Sequence, residues 1–163
     1  MTATARFLLR DIGTLVTMDR DRRVLTDAWV AAEDGLITAV GEGPVPELVT
    51  GIPREEFSSR SAASCVVLPG LVNTHHHLYQ TRTRAWRDAV DSELFPWLKT
   101  LYPVWAERRD EDFHQGARVG FRELMRSGCT LTTDHHSLFP AGASDHLIDI
   151  TIVAAAEAGI RFH

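Results

Sequence analysis

Cysteine is scarce in this chain of 163 residues: Cys65 and Cys129 stand far apart, and no CxxC spacing occurs. That excludes a disulfide-stapled mini-fold and a thiolate zinc or redox motif. Two buried free thiols instead fit a reducing cytoplasm. No apolar run approaches the ~18 residues of a membrane-spanning helix. Arg6 and Arg10 interrupt the first short apolar run, so a signal-peptide pattern is missing too. Positive charge is in deficit, with 17 Lys and Arg against 22 Asp and Glu and a net charge of −5. This balance argues against a nucleic-acid backbone as partner and is compatible with a small neutral or polar substrate. Repeats and low-complexity tracts are absent. What remains is an ordinary globular composition, 44% hydrophobic and 24% charged, long enough for one core.

Residues 6–41 read as strands. Phe7-Leu8-Leu9 and Thr14-Leu15-Val16-Thr17-Met18 are apolar or β-branched, and two further apolar runs flank Glu33-Asp34-Gly35. Asp-Gly between apolar runs predicts a tight hairpin, because both turn positions need φ > 0. Residues 42–64 are turn-rich, with a short helical piece expected near Glu47, and a strand from Cys65 to Leu68 follows. Leu94, Trp97, Leu98 and Leu101 recur at helical spacing. Asp110 is the expected N-cap of a helix over 110–127, striped by Phe113, Ala117, Gly120, Phe121 and Leu124 and stopped by Gly128. His114 falls off the stripe. Threonines and alternation predict a strand over 129–135. Ser144 or Asp145 is expected to cap another helix that Gly159 ends, and Ile160-Arg161-Phe162-His163 begins the next strand. The order β-α-β-α-β is that of an α/β fold with a parallel sheet.

The chemistry concentrates in Leu68-Pro69-Gly70-Leu71-Val72-Asn73-Thr74-His75-His76-His77-Leu78-Tyr79-Gln80. If 71–77 is a strand, side-chain alternation sets His75 and His77 on one face and His76 on the other. Two imidazoles one strand repeat apart can share zinc or a similar divalent ion. Three consecutive histidines are also compatible with a polar loop. The expected next strand ends in Asp134-His135-His136, and parallel strands end on one rim, where barrel chemistry collects.

Pro69 to Leu78 resembles the first barrel strand of the amidohydrolase superfamily, whose PG-(F/L)-(V/I)-(N/D)-x-HxH pattern supplies two metal ligands. His75 to Thr81, Leu94-Phe95-Pro96-Trp97-Leu98, and Ser127 to His136 resemble more narrowly the branch of 8-oxoguanine deaminases, which neighbours the s-triazine hydrolases. The resemblance implies the N-terminal part of a (β/α)8 barrel over 69–163, preceded by part of a small β-sandwich over 1–68. It implies one Zn2+ or other divalent ion on His75 and His77. The bound water, its pKa lowered toward ~7, would attack a purine-like heterocycle as hydroxide and expel ammonia. Gln80 is expected to contact substrate, its amide offering both donor and acceptor to a purine edge. His135 and His136 are expected to shape the substrate pocket, and Trp86 to stack on a flat ring. His76 is expected in a supporting or packing role, and His163 is a candidate pocket residue.

A complete barrel needs roughly 250 residues, so the family's later ligands and proton-transfer groups have no counterpart here. The expectation is a piece of a longer, homo-oligomeric cytoplasmic enzyme that needs the remaining barrel segment, with no nucleic-acid or membrane partner. An s-triazine or other heterocycle amidohydrolase is the alternative substrate class. An inactive truncated chain, at most a metal-binding or interaction module, is the non-enzymatic alternative.

Overall fold

The computed structural model describes residues 5–163. The chain divides after Pro69 into two compact units.

In the first unit β1 (Arg6–Val16) pairs antiparallel with β2 (Val24–Glu33), which pairs antiparallel with β3 (Leu36–Glu42). β4 (Leu48–Val49) and β5 (Ile52–Pro53) form a small hairpin, and β6 (Ser58–Ser61) and β7 (Val66–Val67) run parallel to β1. The expected hairpin turn is present, with φ of 49° at Asp34 and 81° at Gly35. Where two short strands were expected, β1 is continuous. Asp11, at φ 57°, sits in a register shift between Leu9 and Ile12. The extra residue brings Ile12 to the face of Leu9, opposite Leu8. Leu8 then packs with Trp29, Ala31, Val49 and Phe57, while Ile12 joins Leu15, Ala28 and Ala62. Gly41 lies opposite Trp29 in the ladder, where a Cβ would meet the indole at 2.5 Å. The helical piece expected near Glu47 is a β-hairpin followed by a 3-10 turn at Arg54–Glu56. Thr50 and Gly51, both at positive φ, make the chain reverse there instead of coil. Cys65 is exposed and only Cys129 is buried, which corrects the expectation of two buried thiols.

The second unit is a parallel sheet in the order β10-β9-β8, built from β8 (Leu71–Asn73), β9 (Cys129–Thr132) and β10 (Arg161–Phe162). Between β8 and β9 come a 3-10 segment at Leu78–Thr83 and the helices α1 (Leu94–Ala106) and α2 (Asp110–Arg126). α3 (Leu147–Ala158) joins β9 to β10. α1 runs past Pro103 to Ala106, further than the spacing of its leucines indicated. Trp105, fully buried, holds that last turn, with Trp97, Tyr102 and Tyr79 ringing it at centroid distances of 5.2–5.5 Å. The indole N–H of Trp105 donates to Thr83 Oγ1 at 3.0 Å.

The stripe of α2 is buried as expected through Phe113, Ala117, Gly120 and Phe121. The cap differs by one residue. Asp110 is the first helical residue and its carboxylate accepts the Ser144 N–H, while the Asp112 carboxylate accepts the N–H of the N-cap Arg109. α2 thus starts one residue early, whereas α3 starts later than a cap at Ser144 or Asp145 would have it, with His146 at its N-cap and Ser144 Oγ accepting the His146 N–H. It ends at Gly159 with φ 77°. His114 bridges α2 to α3 through Glu157 at 3.1 Å.

The bond from Arg109 N–H holds the Asp112 carboxyl below its ordinary 3.8, helped by Arg82 and Arg108. A carboxyl with a depressed folded-state pKa stabilises above the unfolded value and loses that contribution as pH falls through the folded one. Asp112→Ala is therefore expected to cost about 1 kcal/mol at pH 7. Urea melts stepped from pH 7 to pH 3 should show the gap between wild type and variant narrowing toward the acid end. A gap independent of pH contradicts the assignment.

Candidate metal centre

β8 stops at Asn73, so His75, His76 and His77 lie beyond the strand on irregular backbone. Alternation along a strand is therefore not what brings His75 and His77 together. The Asn73 side chain turns the chain by accepting the His75 N–H at 3.0 Å. Backbone bonds from the end of β9 then hold the loop: Thr133 N–H to Asn73 O at 3.0 Å and His135 N–H to His76 O at 2.7 Å.

The result is that His75 Nε2 and His77 Nε2 converge to 3.2 Å. Two metal–nitrogen bonds of ~2.0–2.1 Å at a near-tetrahedral angle span about 3.3 Å between their nitrogens. His77 Nδ1 lies 2.7 Å from the carbonyl of His135. A carbonyl only accepts, so Nδ1 carries the proton and Nε2 presents its lone pair. This is the tautomer and the backing that metal-bound histidines use. The donor set thus fits two ligands of one divalent ion. Among the described residues no cluster of three or more His, Cys, Asp or Glu side chains completes it.

His135 stacks on His75 with ring centroids 4.4 Å apart and planes 15° from parallel, and lies edge-on to His77 at 5.7 Å. It is exposed at the rim. Gln80 lines the same shallow cleft as the three histidines, with Thr81 and Arg84. Its N–H donates to His77 O at 2.9 Å and its amide to Tyr79 Oη at 3.1 Å.

The other sequence candidates lie elsewhere. His136, adjacent to His135, turns away from the cleft. Its Nε2 donates to Leu138 O at 2.8 Å, and its ring packs among Tyr79, Phe113 and Phe139. Trp86 does not line the cleft. It sits in the turns after the 3-10 segment, 38% exposed. With the strand ended at Asn73, the chain leaves the histidines through a 3-10 segment that carries Trp86 off with it. His163 lines a separate groove against α3 with Asp134 and His136. His76 is half-buried, and burial, reinforced by His77 and Arg84, lowers its pKa despite Asp134.

Three residues of the surroundings were not anticipated. Arg84 lines the cleft while its guanidinium pairs with Glu123 of α2 at 2.7 Å. Arg108, buried, donates to the Tyr79 carbonyl, and burial lowers its pKa. Gly120 lets α2 lie directly on the loop: a Cβ there would stand 2.6 Å from Leu78 Cδ2 and 3.1 Å from Thr81 Oγ1. Two glycines four apart inside a strong helix, Gly116 and Gly120, were the available signal, since glycine there costs helix stability.

The profile of the amidohydrolase family matches residues 66–163. The 8-oxoguanine deaminase of Pseudomonas aeruginosa is 46% identical over 141 residues, covering 85% of this chain and 31% of that protein. The hydroxydechloroatrazine ethylaminohydrolase of Pseudomonas sp. strain ADP is 32% identical over 155 residues, covering 91% of this chain and 32% of that protein. The crystal structure of atrazine chlorohydrolase from Arthrobacter aurescens TC1 complexed with zinc superposes with a TM-score of 0.83 at 29% identity, over 96% of this chain and 34% of that one. The chain thus spans about a third of the length of the relatives it matches. Its fold is the N-terminal part of a (β/α)8 barrel preceded by strands of a small β-sandwich, and the chain belongs to the amidohydrolase family.

Proposed function

We propose that this chain supplies the first two metal ligands, His75 and His77, of an aminohydrolase that deaminates a purine-like heterocycle, with 8-oxoguanine as the foremost substrate. The observation that carries the reading is the convergence of the two Nε2 atoms at 3.2 Å, with His77 Nδ1 committed to the His135 carbonyl. A bound divalent ion, Zn2+ or another that imidazole suits, would supply Lewis-acid activation of water. His135 stacks on His75 and limits the directions its ring can take. The Gln80 amide, one short turn after the ligands, donates to or accepts from the ring edge of the substrate. Two imidazoles leave a four-coordinate zinc shell incomplete, so these 163 residues alone are proposed not to turn over.

The choice of substrate rests on the 46% identity to 8-oxoguanine deaminase. A second reading, an s-triazine substrate, is favoured by the 32% identity to the ethylaminohydrolase and by the atrazine chlorohydrolase superposition. Ammonia and amine release by the zinc-supplied intact protein, assayed on 8-oxoguanine, guanine, isoxanthopterin and a hydroxylated N-alkyl s-triazine, separates the two. We expect kcat/KM for 8-oxoguanine to lead by at least about tenfold, the discrimination that a few matched polar contacts give. A leading triazine selects the second reading, and release from none of the four refutes both.

A further inference from the structure

We propose that Asp134 is a positioning residue for the His75–His77 pair: its buried carboxylate pins the backbone directly after His77 and so sets where the two ring nitrogens meet. The inference rests on the metal reading above.

The Asp134 side chain is 3% exposed. No Lys or Arg pairs with it among the described residues; the basic side chains near it are His136, whose Nδ1 lies 3.7 Å from Oδ2, and His76, on which its charge also acts. A carboxylate is costly to bury on such terms, so a polar demand at that point has to justify it. Leu78 supplies the demand. Its N–H opens the 3-10 segment Leu78–Thr83, and the preceding residue, His77, offers no side-chain cap. First-turn N–H groups have no partner within their own helix, and Leu78 is 1% exposed, out of reach of water. Asp134 Oδ1 accepts that N–H at 2.8 Å. The carboxylate therefore caps this segment from the end of another strand, 56 residues away in sequence.

The cap completes a grip on three consecutive residues. His76 O accepts from His135 N–H, His77 Nδ1 donates to His135 O, and Leu78 N–H donates to Asp134. Two of these bonds use the backbone of the β9 end and survive substitution of its side chains by any residue but proline. Of the three, the Asp134 bond is the one whose β9-side partner is a side chain, which substitution can remove; the His135 ring adds a longer contact, its Nε2 lying 3.3 Å from Thr74 O.

Its second oxygen supplies a discriminating test. Asp134 Oδ2 and His136 Nδ1 are both buried without a hydrogen-bond partner. Because His136 Nε2 donates to the Leu138 carbonyl, a ring carrying that single proton turns an acceptor, Nδ1, toward the carboxylate. Asparagine at 134 keeps an oxygen for Leu78 and turns its NH2 toward that nitrogen. Alanine provides neither.

The experiment titrates Zn2+ and Co2+ into the metal-free intact protein, as wild type, Asp134→Asn and Asp134→Ala. It also records the cobalt visible spectrum and the hydrogen exchange of the Leu78 amide. We expect Asp134→Ala to weaken metal binding by about 10- to 100-fold, alter the cobalt bands and free the Leu78 amide, while Asp134→Asn stays within about threefold of wild type with the amide protected. A folded alanine variant with wild-type affinity and spectrum overturns the proposal, as does a folded asparagine variant as impaired as alanine. If the alanine variant does not fold, the asparagine variant and Leu78 exchange in the wild type decide; an unprotected wild-type amide refutes the cap. A wild-type protein that binds neither ion fails earlier and overturns the metal reading itself.

Discussion

His75→Ala and His77→Ala should each strip zinc from the intact protein, lowering metal retention by more than the ~100-fold that loss of a mere supporting contact produces. Turnover should fall with it. The two substitutions are not equivalent in their side effects. His77 also donates Nδ1–H to the His135 carbonyl, so its loss frees the rim on which His135 sits. His75 instead stacks on the His135 ring. His77→Gln should therefore disturb the loop less than His77→Ala while still losing the ion. Elemental analysis after dialysis gives the metal content, and ammonia release gives turnover. A double alanine variant that keeps one ion per chain and full activity would remove the metal assignment altogether.

Trp105→Ala is expected to have the largest effect on stability, about 3–5 kcal/mol, the range for deleting a fully buried aromatic. Trp105 is the hub of a ring that includes Tyr79, Trp97 and Tyr102, and it carries one hydrogen bond to Thr83. Trp105→Phe keeps much of the packing and loses that bond, which should cost roughly 1–3 kcal/mol for leaving a buried hydroxyl without its donor. Chemical denaturation of the intact protein, read by far-UV circular dichroism, orders the three proteins. Equal midpoints for the alanine variant and wild type would contradict the burial on which the prediction stands.

Local chemistry made part of this architecture legible in the sequence. Asp34-Gly35 announced its hairpin because few residues accept positive φ twice in succession. The α2 stripe and its stop at Gly128 were readable for the same kind of reason. The parallel βα order followed from elements alternating along the chain. The joining of the histidines was anticipated for a reason that does not operate. A regular strand through His77 was assumed, but pairing ends at Asn73 and hydrogen bonds from residues 133–135 take over. Those bonds link positions about 60 apart, and local pattern carries no information about them. Trp86 was expected near the site as the first tryptophan of the connection that follows the ligands, where a barrel's active face is built, and a 3-10 turn is enough to defeat that. Asp134 was noticed as a polar residue at a strand end, but its acceptance of the Leu78 amide depends on which way one carboxylate points.

Gly116 and Gly120 make the stability of α2 and of the segment after the histidines mutual. Each glycine inside a helix costs about 0.8–1.0 kcal/mol relative to alanine, so α2 carries a handicap near 2 kcal/mol at the positions that meet Leu78 and Thr81. The isolated α2 segment is correspondingly a weak helix, and its residence in the helical state depends on the loop that lies across it. The histidine loop, for its part, has no strand of its own to shape it. Helix and loop are each other's template: fraying α2 removes the surface on which Leu78 and Thr81 pack, and with it a support of the residue that follows His77.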